Sequence, residues 1–151
     1  MNPADTTRPF SVTWLGYGGL IPFLAGASAV WFDSQHQALW AQALLSYGAV
    51  ILSFVGALHW GFAMTHPAGR TQPLNSLYIW SVVPSLLGWV TLLVSPKTGA
   101  TFLIAGFLTH YWQDRRLAQV LDLPRWYLPL RLQLTTVACL CLVCLYFLGS
   151  A

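Results

Sequence analysis

Five long apolar runs, separated by short polar segments, occupy most of the 151-residue chain. They cover about residues 12–32, 38–64, 77–95, 98–113 and 127–149. A helix needs roughly 20 predominantly apolar residues to cross a bilayer. The pattern therefore predicts an all-α integral membrane protein, a bundle of five transmembrane helices. The fourth is short, since 16 residues rise only about 24 Å.

These runs predict one membrane domain over residues 12–149 and no separate soluble domain. Residues 1–11 form a short leader, which we expect in the cytoplasm. The connection 114–126 has Leu117, Val120 and Leu121 at helical spacing opposite basic residues, which is typical of an amphipathic stretch on a membrane surface.

Two features indicate how the helices pack and bend. Ala49, Ser53, Ala57 and Gly61 recur every four residues, which predicts a ridge of small residues where another helix approaches closely. Pro22 and Pro84 lie inside the first and third runs, and intramembrane prolines bend helices.

Composition and charge support the membrane class and give an orientation. Hydrophobic residues make up 56% of the chain and charged residues only 7%, which excludes an ordinary soluble domain. Five spans place six of the seven basic residues on one side and Lys97 alone on the other. The six are Arg8, Arg70, Arg115, Arg116, Arg125 and Arg131. The positive-inside rule then predicts a cytoplasmic N-terminus and an external C-terminus.

Several polar side chains gather at the predicted cytoplasmic ends of the helices. His59 lies near that end of the second run, where a titratable ring is costly without a partner. His110 and Asp114 are four residues apart, hence on one helical face, and Arg131 enters the fifth run at the same depth. We predict a ligand-binding cluster at this end of the bundle. Its residues are His59, Trp60, His110, Asp114, Arg125, Trp126 and Arg131.

Other interpretations of this cluster stay open. The histidines can bond neighbouring carbonyl groups, the arginines can contact lipid phosphate, and the tryptophans can form an interfacial belt. Two histidines on different helices can also ligate a metal ion. No spacing in the sequence resembles a metal motif, so we assign no metal ligand and leave any cofactor unknown.

The sequence lacks the motifs of the common catalytic classes. It contains no HExxH, no GxSxG, no Gly-rich phosphate loop and no carboxylate pair, so hydrolase and kinase functions have no support. We assign no catalytic residue. Basic residues at a membrane edge favour lipid contacts rather than nucleic acid. The expected partners are membrane lipids, an amphipathic small molecule and a membrane protein.

Four segments resemble the transmembrane protein 69 family, which contains the domain of unknown function 3429. They are LGYGGLIPF (15–23), YGAVILSFVGALHWG (47–61), SVVPSLLGW (81–89) and PRWYLPLRLQLT (124–135). The resemblance implies a small integral membrane protein, in bacterial inner membranes or in mitochondria of animals, and implies no reaction or cofactor. His59, Trp60, Arg125, Trp126 and Arg131 lie inside these segments; His110 and Asp114 lie outside them.

Three functions are compatible with these observations. The first, which we favour, is a non-catalytic binding or assembly module for a lipid-like or quinone-like ligand, or for a membrane complex, in the bacterial inner membrane. The second is a small transporter or channel, which needs a continuous polar path. The third is an intramembrane redox or haem protein that uses His59 and His110.

Overall fold

The computed structural model describes residues 8–65 and 74–147, and in these ranges the chain is helical with no strand. The helices are α1 (Phe10–Gly18), α2 (Ile21–Phe32), α3 (Gln37–Thr65), α4 (Leu74–Thr91), α5 (Pro96–Leu117) and α6 (Tyr127–Val143). Short 3-10 turns follow α2 at Ser34–His36 and α6 at Cys144–Phe147. Arg70, most of the leader and the last residues of the fifth run lie outside the described ranges.

Three of the described helical segments are long and apolar enough to cross a membrane: Phe10–Phe32, Ser34–Thr65 and Tyr127–Phe147. A fourth apolar segment, Ser76–Thr91, is shorter. Helix α5 has 22 residues but carries Lys97 at its start and charged residues in its last turns. The predicted helices are therefore present, and the prediction of five spans is supported by length and composition for three of them.

The first membrane segment is interrupted where glycine and proline occur together. Helix α1 ends at Gly18 and α2 begins at Ile21. The Gly19 and Leu20 amides still donate to Leu15 and Tyr17. Pro22 occupies the first turn of α2, where its missing N–H costs nothing. The predicted bend thus takes the form of a break just before Pro22, whereas α4 continues through Pro84.

Helix α3 is the central element and packs against α2, α4 and α5. The core around it consists of large apolar side chains that are at most 1% exposed. They include Phe23, Leu44, Leu45, Leu52, Leu103 and Leu142. Since lipid is as apolar as this core, the bundle depends on close packing between helices rather than on exclusion of water.

The closest approach of α3 and α4 occurs at glycines. A Cβ atom added to Gly56 would lie 2.9 Å from Pro84 Cβ, and one added to Gly88 would lie 3.0 Å from the Ala49 carbonyl oxygen. A Cβ on Gly61 would meet nothing within 4 Å. The predicted ridge is therefore wrong beyond its first turn. Steps of four residues advance about 40° around a helix, whereas steps of seven from Ala49 to Gly56 and Ala63 stay on one face.

Helix α5 continues through Asp114 to Leu117, and residues 118–126 form turns rather than a helix. The helical part of the predicted connection 114–126 is thus its first four residues. At 22 residues, α5 rises about 33 Å. The extension keeps His110 and Asp114 on one regular helix.

We expect Gly56→Ala to destabilise the protein by about 1–3 kcal/mol, because the new methyl group overlaps Pro84 in a packed interface. Gly61→Ala on the same helix is the matched control, and it should leave stability unchanged or raise it slightly. The measurement is the thermal unfolding midpoint of both variants in one detergent. Equal midpoints would show that α3 and α4 do not pack through Gly56.

Candidate functional site

Polar side chains from three helices converge at one end of the bundle, where α3 and α5 finish and α6 begins. We call His59, His110, Asp114, Tyr127 and Arg131 the polar cluster. His59 and Asp114 are 0% exposed, His110 is 1% exposed, Arg131 6% and Tyr127 8%. The structure thus brings together four of the residues that the sequence predicted to share a site.

The centre of the polar cluster is a buried ion pair between α5 and α6. Arg131 donates through Nε to Asp114 Oδ2 at 2.8 Å, and the Tyr127 hydroxyl donates to Asp114 Oδ1 at 3.3 Å. Tyr127 and Arg131 are four residues apart and therefore lie on one face of α6. The pair places equal and opposite formal charges side by side, so the cluster carries no net charge while both imidazoles are neutral.

The two imidazole rings lie against each other beside this ion pair. Their centroids are 4.7 Å apart with 45° between the ring planes. His59 Nε2 lies 3.6 Å from Asp114 Oδ1, which is beyond hydrogen-bond distance. On the other ring, the Trp80 indole N–H donates to His110 Nδ1 at 3.4 Å. Rings this close leave no room for a haem plane between them, so this arrangement does not favour a bis-histidine haem.

Among the described residues, several buried polar atoms in and beside the polar cluster have no hydrogen-bond partner within 3.5 Å. They are both ring nitrogens of His59, His110 Nε2, Arg131 Nη2 and Thr135 Oγ1. Leaving a buried polar group unpaired costs about 1–3 kcal/mol. Folded proteins pair nearly all such groups. A group of unpaired buried atoms in one place is therefore unusual in a folded protein.

The remaining predicted site residues lie at the edge of the polar cluster or away from it. Trp126 is half-buried, with its ring centroid 6.3 Å from that of Tyr127. Arg125 is exposed, and Trp60 is 48% exposed and packs edge-on against Tyr78 at 5.0 Å. Trp60 and Arg125 thus belong to the surface around the cluster. A ligand-binding role for any of the seven residues stays a prediction.

Three residues in or beside the polar cluster were not predicted from the sequence: Trp80, Tyr127 and Thr135. Tyr127 and Thr135 precede and follow Arg131 by four residues, so helical periodicity was a signal for both. Trp80 had no such signal, because its contact with His110 depends on how α4 is rotated against α5.

His59, His110 and Asp114 also form the one group among the described residues whose geometry fits a metal ion. Each offers one ligand atom, and these atoms all lie within 4.8 Å of one another. No metal motif was recognisable in the sequence, because the residues come from two helices that are far apart along the chain. Chemically, the site offers two imidazoles and a carboxylate next to a guanidinium group.

We expect Arg131→Met to destabilise the protein by about 3–5 kcal/mol, because it leaves the Asp114 carboxylate buried without its partner. Asp114→Leu combined with Arg131→Met should recover most of that loss, since apolar replacement of a buried pair is often neutral. Thermal and denaturant unfolding in detergent measure both effects. Arg125→Met is the control for an exposed arginine and should change stability by no more than about 0.5 kcal/mol. A double variant as unstable as Arg131→Met would contradict this account.

Comparison with known proteins relates this architecture to one family. A family model described as "Protein of unknown function (DUF3429)" matches residues 8–147. Transmembrane protein 69 of Xenopus tropicalis is 35% identical over 143 residues, which is 92% of this chain and 54% of that protein. Transmembrane protein 69 of Mus musculus is 28% identical over 141 residues, 89% of this chain and 54% of that protein.

The chain spans about half the length of these curated relatives. No solved structure matches it. The matched region includes all the helices described above and every residue of the polar cluster. The family model covers most of the chain, and three of its described helical segments are apolar and long enough to span a bilayer. The chain therefore belongs to the DUF3429 family and is a multi-pass membrane protein.

Proposed function

We propose that the protein is a non-catalytic binding or assembly module, in which the polar cluster holds the polar head of a lipid-like or quinone-like ligand or docks a membrane complex. The observation that carries this proposal is the set of free, buried polar atoms on His59, His110 and Arg131. A purely structural cluster would pair these atoms or replace them with apolar side chains, which is often neutral or stabilising. A ligand would supply the missing partners.

The surface around the polar cluster suits an amphipathic ligand. Arg115 and Arg116 are exposed in the last turn of α5, and the Arg116 guanidinium lies 3.5 Å from the centre of the Trp112 ring. Trp112 is 49% exposed. Basic and aromatic side chains of this kind favour the headgroup region of a membrane. We place this end at the cytoplasmic face of a bacterial inner membrane, following the distribution of basic residues.

A transporter or channel is less well supported. An apolar layer follows the polar residues two helical turns further into the bundle. It consists of Leu52, Leu103 and Leu142, which lie seven residues from His59, His110 and Thr135, respectively. Each of the three leucines is 0% exposed. Two turns correspond to about 10 Å. This apolar layer separates the polar cluster from the other end of the bundle. A site confined to one end of the bundle, rather than a path across it, fits these positions.

The test is native mass spectrometry of the protein extracted with its lipids into nanodiscs, for wild type, His59→Leu and His36→Leu. His36 is exposed and lies in the turn after α2, so it is the matched control. We expect a stoichiometric organic adduct in wild type and His36→Leu, and at least a tenfold loss of it in His59→Leu. The thermal midpoint of His59→Leu should stay equal or rise, because the variant removes unpaired polar atoms.

An adduct of equal occupancy in all three proteins would show that the ligand binds elsewhere. No adduct in wild type would overturn the proposal, and a lower thermal midpoint for His59→Leu would then make His59 a structural residue.

A further inference from the structure

We infer that His59, His110 and Asp114 bind a divalent transition metal ion, whose open coordination position takes an oxygen atom of the ligand. The inference rests on the proposed function, because it names how the polar cluster holds that ligand. Its basis is the close grouping of three buried ligand atoms, two of them on side chains with free nitrogens.

The distances require only small movements to form a metal site. Metal bonds of about 2.0–2.2 Å place neighbouring ligand atoms roughly 3.0–3.5 Å apart. His59 Nε2 and Asp114 Oδ1 are already 3.6 Å apart. His110 and Asp114 are one turn apart on α5, so a single helix presents two ligands and α3 presents the third. Metal binding then requires side-chain rotations that shorten the other separations, which are at most 4.8 Å, to this range.

The surroundings of Asp114 hold the carboxylate in the orientation that a metal ligand needs. Arg131 Nε occupies Oδ2 at 2.8 Å, so Oδ1 is the oxygen that faces His59. The Tyr127 hydroxyl approaches Oδ1 at a longer distance, 3.3 Å. Outer residues that fix a ligand in this way commonly change metal affinity by 10–100-fold. Arg131 therefore orients the carboxylate for coordination through one oxygen.

Two neutral imidazoles and a carboxylate suit Zn²⁺, Fe²⁺ and similar borderline ions, and such a set of three leaves coordination positions open. Asp114 and Arg131 cancel each other's formal charge, so a bound dication adds two positive charges to a buried site. An anionic oxygen in the open position reduces that charge. The geometry thus favours a ligand with an anionic oxygen, such as a phosphate or carboxylate group.

Trp80 opposes metal binding, because it favours the tautomer of His110 that carries the proton on Nε2. Its indole N–H can only donate, so the contact with Nδ1 places the proton of the neutral ring on Nε2. Coordination through Nε2 needs that lone pair, and the proton must move to Nδ1. The indole contact is then lost. At 3.4 Å this hydrogen bond is long and therefore weak.

The experiment uses the full chain in nanodiscs, stripped of metal with a chelator and titrated with Co²⁺ as the probe. Visible absorption reports the coordination, and elemental analysis gives the stoichiometry. We expect one Co²⁺ per chain, displaced by Zn²⁺, with affinity at least tenfold weaker in His59→Leu and in His110→Leu. His36→Leu should bind as wild type does. Thermal midpoints confirm that each variant is folded.

The variant Trp80→Phe separates this site from Co²⁺ binding at surface histidines, because binding at the surface would not change in this variant. Removing the indole donor frees Nδ1 to carry the proton, so we expect Co²⁺ affinity to rise several-fold. A fall in affinity would overturn the assignment of His110 Nε2 as a ligand. Absence of a Co²⁺ band in wild type, or equal bands in wild type, His59→Leu and His110→Leu, would overturn the metal site as a whole.

The organic adduct and the uptake of Co²⁺ together distinguish failure of the metal site from failure of the binding module. An organic adduct on chelator-stripped protein without Co²⁺ uptake overturns the metal site and supports the binding module. Co²⁺ uptake at His59 and His110 without any organic adduct supports the metal site and overturns the amphipathic ligand.

Discussion

Asp114 and Arg131 form a buried ion pair between α5 and α6, and the arrangement of the cluster end depends on it. Neither charge is exposed by more than a few per cent, so each side chain is stable there only with the other present. The pair fixes the rotation of α6 against α5, which brings Tyr127 onto the carboxylate. It also sets the position of the carboxylate relative to His59 on α3.

Charge compensation by this pair explains how two histidines can lie side by side at such depth. With Asp114 and Arg131 neutralising each other, neutral imidazoles add no charge to the site. On the side toward the middle of the bundle, the site borders the apolar layer of Leu52, Leu103 and Leu142. The site is thus a local polar cluster at one end of a bundle whose core is otherwise mainly apolar.

The sequence determined the helices and much of the site, because both follow from periodicity along a single segment. Apolar runs predicted the helices, and spacing of four residues placed His110 and Asp114 on one face. Contacts that depend on how one helix is rotated against another were not predictable from the sequence. The ridge of every fourth residue on α3 was wrong beyond its first turn, since such a row turns away from α4. The contact of Trp80 with His110 and the free nitrogens likewise arise only when α4 and α5 are docked.

The tautomer of His110 connects the two kinds of ligand that we propose for this site. A ligand oxygen bound directly to His110 needs an N–H at Nε2, which the Trp80 donor favours. A metal ion needs the lone pair at the same atom, which Trp80 disfavours. His59, whose two nitrogens have no partner, accepts either arrangement. We therefore propose that the weak indole contact makes His110 the residue that decides between direct binding of a head group and binding through a metal ion.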